Sequence, residues 1–207
     1  MKNWLDKMER RFGRYAIRNL TMYLLAGYAI GYLLSFTMPQ LLTYFTLEPA
    51  LILKGQVWRL LSWVIIPPND NIIFVIFMML LYYSLGNTLE SYWGAFRYNV
   101  YIFSGILFTV IGAFIVNGLI GGITGFGSLY STYYINMSIF LACASIMPDY
   151  QLLLYGIIPI KMKWLAVLDV VLLAVDAVQG GLIIRIVIIA SLLNFIIFFF
   201  CNRNLRG

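Results

Sequence analysis

The residues with the best claim to chemistry lie in the stretch TGFGSLYSTYY, residues 124–134. Two hydroxyls, Ser128 and Ser131, stand there beside Gly125 and Gly127 at the mouth of a long apolar run. A serine becomes a nucleophile only when a base takes its proton and donors receive the charge that develops on the substrate oxygen. The chain contains no histidine. Lys54, Lys161 and Lys163 fall in loops remote from that run, and Asp169 and Asp176 are acids with no imidazole to orient. General-base activation therefore lacks its base. On residue types alone, Gly125-Phe126-Gly127-Ser128 reads as close helix packing, with Ser128 bonding across to a neighbour or back to its own carbonyl.

The solvent decides which elements position these groups. Hydrophobic residues make up 62% of the 207 residues and charged ones 11%, against about half and a quarter in a soluble domain. The chain is built for lipid. About twenty apolar residues cross a bilayer core, and six such stretches are expected. They run over residues 19–38, ended by Pro39, and from Leu60 through the Pro67-Pro68 break to Gly86, deepest at 72–85. The charge-free segment 98–148 is divided in two by Gly118, Gly121, Gly122 and Gly125, and residues 164–178 and 182–200 supply the last two. Cys143 and Cys201 both sit in apolar runs and read as buried thiols, with no metal site and no cofactor implied.

Charge sets the orientation. Lys2, Lys7, Arg10, Arg11, Arg14 and Arg18 precede the first span. With the N-terminus inside, eleven lysines and arginines lie on the cytoplasmic side, against Lys54, Arg59 and Arg185 outside. The expected architecture is an all-α bundle of six transmembrane helices, N-in and C-in, with an apolar external loop from Pro39 to Gln56 dipping into the outer leaflet. Residues 1–18 form a basic juxtamembrane segment in which Trp4, Leu5, Met8, Phe12 and Tyr15 make an amphipathic surface helix. Residues 19–201 are the membrane domain and 202–207 a short cytoplasmic tail. The net charge of +6 is concentrated at the N-terminus and suits lipid headgroups, not nucleic acid.

Two motifs carry a family likeness. Gly55-Gln56-Val57-Trp58-Arg59 lies in the external loop; Gly86-Asn87-Thr88-Leu89-Glu90, then Gly94 and Arg97, lies at the inner end of the second span. Over roughly residues 47–198 the chain resembles the rhomboid superfamily, including its derlin-type pseudoproteases. The resemblance implies a serine at Gly127, a histidine at Ser191 after Ala190, and a His-x-x-x-Asn pair at Phe74 and Met78. All these catalytic positions are replaced. The motif residues have physical work without any family: Trp58 suits an interface, Arg59 can satisfy loop carbonyls, and Glu90 and Arg97 bracket a turn across which they can pair.

What remains for function is the set of polar groups inside spans, each costly unless paired or wet. Asp169 and Asp176, seven apart, share one face of the fifth helix, about 8 and 18 Å along it from Trp164. Either Asp176 pairs with Arg185 across Gln179-Gly180-Gly181, or the two acids line a groove that holds a client's transmembrane helix. Asn194 and Ser128 are further candidate contacts; for Asn194 and Ser191 an interhelical hydrogen bond is the alternative. The expected protein is a non-proteolytic, rhomboid-like membrane protein that binds transmembrane clients or a membrane partner. It would sit in the cell membrane, or in the endoplasmic reticulum of a eukaryotic cell. A divergent active intramembrane protease and a small transporter or lipid-handling protein are the competing readings.

Overall fold

The computed structural model describes residues 4–67, 72–130, 132–154 and 158–201. The expected six stretches each correspond to one long helix: α2 (Leu20–Thr37), α6 (Ile72–Trp93), α7 (Ala95–Leu119), α8 (Tyr133–Ile146), α9 (Met162–Gln179) and α10 (Gly181–Cys201). Short helices occupy the ends and loops: α1 (Trp4–Phe12), α3 (Pro39–Leu42), α4 (Pro49–Ile52) and α5 (Arg59–Ser62). Among the described residues, three helices are long and apolar enough to cross a membrane by length and composition: Leu20–Thr37, Ala95–Leu119 and Gly181–Phe199.

Helix ends follow local chemistry. Met38 leaves the helical region (φ −145°, ψ 66°) because the ring of Pro39 crowds it, and α2 stops there. Beyond α7, Gly121 and Gly122 take φ of +73° and +77°, which side chains seldom tolerate. The glycine cluster thus divides the charge-free segment as expected. The second stretch differs from its expected limits. Residues 59–65 form α5 and a separate 3-10 turn, and α6 runs straight through Gly86 to Trp93. The chain reverses at Gly94, with φ of +83°. Gly86 serves packing instead: a Cβ there would collide with the Thr21 side chain and the Tyr98 hydroxyl, which bond each other at 2.8 Å.

α8 is the middle of the bundle. It packs on α6, α9 and α10, touches α7, and leaves no residue fully exposed. Nine of its 14 residues are buried, from Ile135 to Ala144. α10 lies along α7, where small residues permit a close approach. A Cβ on Gly112 would stand 3.1 Å from Ala190 Cβ, and one on Gly105 would stand 3.1 Å from Asn194 Nδ2. Trp93, Tyr101 and Phe198 close the interior below this seam with ring centroids 4.6–5.3 Å apart.

One element departs from the all-α expectation. Strands β1 (Gln151–Leu154) and β2 (Ile158–Lys161) form an antiparallel hairpin in the register Gln151↔Lys161 to Leu154↔Ile158. It returns the chain to Asp149, which meets Lys163 at 3.0 Å and Lys161 at 3.4 Å. At the N-terminus, α1 buries Leu5 and leaves Lys7, Met8, Arg10, Arg11 and Phe12 exposed.

Candidate functional site

Two buried carboxylates organise the polar interior, and they come from different elements. The first was not among the expected site residues. Glu48 precedes α4 in the loop between α2 and α6, and its Oε1 accepts the N–H groups of Gly125 at 2.9 Å and Gly127 at 2.8 Å. Its sequence signal was a single acid in an otherwise apolar loop, Leu47-Glu48-Pro49. That loop is held by Arg59, which is buried. Arg59 Nη1 donates to Thr43 O, Thr46 O and Thr46 Oγ1, and Nε donates to Gln56 Oε1 at 2.7 Å. Burial lowers the Arg59 pKa from its ordinary value, and the Glu48 charge pulls it back up. Trp58 adds a bond from Nε1 to Tyr44 O at 3.2 Å while half its surface stays exposed. Arg59 therefore does satisfy the carbonyls of an irregular loop, with Gly55 turning the chain at φ +102°.

This arrangement changes the reading of Gly125-Phe126-Gly127-Ser128. The segment is a loop with a 3-10 turn at Gly127–Leu129, and α8 begins only at Tyr133. It packs against the Glu48 loop, not helix to helix. A Cβ on Gly127 would lie 2.9 Å from Glu48 Cγ, Glu48 Oε1 and Thr46 Cβ, closer than side chains approach. No side chain fits at 127 unless Glu48 and Thr46 shift. Ser128 is exposed, and Ser131 lies outside the described residues. Burial and, second, the Glu48 charge push the neighbouring Tyr130 phenol up to about 12.

The second carboxylate, Asp169, faces a cavity of about 290 Å³ between α6, α8 and α9. Met78, Tyr82, Tyr133, Asn136 and Leu172 are among the residues lining it. Asp169 is buried, and its Oδ2 has no hydrogen-bond partner among the described residues. Asp176, seven residues and about two turns further along the same helix, is half-buried. Asp176 does not pair with Arg185. The guanidinium turns back to the end of α9 and donates to Ala177 O at 2.7 Å and Val178 O at 3.4 Å, carbonyls that a helix C-terminus leaves free.

The remaining expected residues are structural in their contacts. Glu90 and Arg97 do not pair, because α6 continues past Glu90 and separates their roles. Arg97 binds Asp6 and Glu9 of α1, both at 2.9 Å, while Glu90 accepts the N–H of Asn19, held at φ +55° where α2 begins. Asn194 ties α10 to α7 by donating to Tyr101 O at 2.9 Å and accepting from Ser104 Oγ at 2.6 Å. The interhelical bond expected of it is therefore present. Ser191 is buried and donates to Ile188 O within its own helix. Met78 stands on the cavity wall, whereas the side chain of Phe74 is outside the described residues. Cys143 is buried against Leu85 O, and the side chain of Cys201 is outside the described residues.

No curated protein and no solved structure matches the chain. Residues 18–202 match the family described as "Eukaryotic integral membrane protein (DUF1751)". That range takes in every long helix and both buried carboxylates, and the chain belongs to this family of integral membrane proteins.

Proposed function

We propose that the chain is a six-span, N-in and C-in, rhomboid-like membrane protein that has lost proteolysis and holds a transmembrane segment of a client or partner. The observation that carries the reading is the state of position 127. In the rhomboid-like alignment this is the nucleophile's place, and here it is a glycine whose Cβ site is filled by Glu48 and Thr46. The Gly125 and Gly127 N–H groups, donors of the kind an oxyanion needs, are already bonded to the Glu48 carboxylate. A nucleophile, a base and free donors act as a unit, so a site lacking all three is not expected to turn over.

Six spans are supported by six long helices in the expected order, and by outward faces that are apolar along α2, α6, α7, α9 and α10. Ile30, Leu33, Leu80, Ile115, Val171 and Ile189 are all exposed there. Exposed Leu41, Tyr44 and Leu53 support the dip of the external loop into the outer leaflet. Client binding is placed at the α8-facing side of α9, where Asp169 and Asp176 lie. The reading serves the cell membrane or the endoplasmic reticulum alike, whose cores differ by only a few ångströms.

The test uses the purified protein in lipid. It should take no label from fluorophosphonate probes and should leave a transmembrane substrate uncut, yet crosslink to such a segment through a photoreactive residue at Leu168 of α9. Labelling that Ser128→Ala abolishes would restore the protease reading, and absence of any crosslink would remove client binding.

A further inference from the structure

The cavity beside Asp169 has the properties of a seat for a charged side chain. α9 packs on α8 and α10 but makes no extended contact with α6, so a gap opens between α6 and α9 with α8 as its floor. Leu168 and Leu172 form the exposed rim on the α9 side. Most of the wall is apolar, from Met78, Leu81, Phe140 and Leu165. Asp169 is 94% buried and lines this gap with an oxygen that no described group satisfies.

A carboxylate at that depth costs several kcal/mol unless a donor meets it. Among the described residues no lysine or arginine meets Asp169 Oδ2. Every lysine and arginine from Arg59 to Arg185 has its own partner: Arg59 in the external loop, Arg97 on Asp6 and Glu9, Lys161 and Lys163 on Asp149, and Arg185 on the α9 carbonyls. A cationic partner for this oxygen is therefore left to another molecule. Charge complementarity then names it. The rings of Tyr82 and Tyr133 line the same space, and aromatic faces attract a desolvated ammonium or guanidinium. Asp176, two turns further along the face, extends the negative potential towards the end of α9.

We infer that the gap between α6 and α9 receives a transmembrane helix bearing a lysine or arginine side chain, which inserts into the cavity and bonds Asp169. The inference rests on the client-binding reading above and sharpens it: this protein selects membrane segments that carry a basic residue within the span. The occupant is taken to be a helix because the cavity's α9 rim, Leu168 and Leu172, is exposed and apolar, a surface that an apolar helix can cover.

The experiment takes the full chain in nanodiscs with a photoreactive residue at Leu172. Three polyleucine transmembrane peptides serve as probes, identical except for lysine, norleucine or glutamate at mid-span. The lysine peptide should crosslink about tenfold more than the norleucine one, and the glutamate peptide least. Asp169→Asn, which keeps the shape, should bring the lysine peptide down to the norleucine level, while Asp169→Glu should retain the preference. Equal crosslinking of all three peptides, or a lysine preference that survives Asp169→Asn, would overturn the basic-residue inference and leave client binding standing. Failure of every peptide to crosslink would overturn client binding itself.

Discussion

Glu48 and Asp169 are two carboxylates with nearly the same exposure, 7% and 6%, and opposite surroundings. One oxygen of Glu48 receives two backbone N–H bonds and lies in the electrostatic reach of Arg59. Asp169 Oδ2 receives nothing from the described chain. Burial alone thus says little about what an acid does in a membrane protein; its partners say most. A buried acid with its bonds made is a fastener between segments distant in sequence. A buried acid without them is a cost that the fold carries, and it becomes useful when a ligand supplies the bond.

The comparison can be broken at Arg59 and Glu48 first, where the largest effects are expected. Arg59→Ala strips Thr43 O and Thr46 O of their donor, and Glu48→Ala leaves the buried Gly127 N–H bare. Each should cost roughly 1–3 kcal/mol, more for Arg59, read as thermal stability in detergent. Asp169→Leu, by contrast, should cost nothing or stabilise, since an unpaired polar atom is exchanged for an apolar side chain against an apolar wall. If Asp169→Leu proved as damaging as Glu48→Ala, the distinction between fastener and vacant acid would fail.

A narrower strain is expected at Gly127. Gly127→Ala forces Glu48 and Thr46 apart and should destabilise by about 1–3 kcal/mol as an overpacked site. Gly127→Ser should do the same without gaining fluorophosphonate reactivity. Combining Gly127→Ala with Glu48→Ala sharpens the point, because the double variant should lose less than the sum of the two singles.

The smallest effect lies at Asp149, outside both sites. Hydrogen bonds from Lys163 and then Lys161 hold its carboxyl below the ordinary carboxylate range. A depressed folded pKa means that its contribution is present above the unfolded value of about 3.9 and fades as pH falls through the folded one. Amide protection of the β1–β2 hairpin should therefore weaken in acid, and Asp149→Asn should remove that dependence while barely changing neutral-pH stability.

Much of the architecture was legible because lipid imposes simple rules. Apolar length, Pro39 and the Gly121-Gly122 pair mark helices and their ends through properties of a few neighbouring residues. The hairpin was not legible: QLLLYGIIPIK shows no alternation, and an interior Pro159 argues against a strand except at an edge, where a two-stranded ribbon has all its strands. Nor were the ion pairs. Glu90 with Arg97, and Asp176 with Arg185, are near in sequence, yet Arg97 chose α1 and Arg185 chose carbonyls. A long guanidinium side chain reaches several acceptors, and sequence distance does not rank them.

The sequence by itself determined that this protein lives in a membrane, that long apolar helices build it, and that no histidine waits beside Ser128. Those follow from composition and local sterics. Only the tertiary structure decided that Glu48 fills the space at Gly127 and that Asp169 Oδ2 goes without a partner among the described residues. Both depend on segments dozens of residues apart meeting at hydrogen-bond distance, and the length and angle of such a bond are set by how the helices pack.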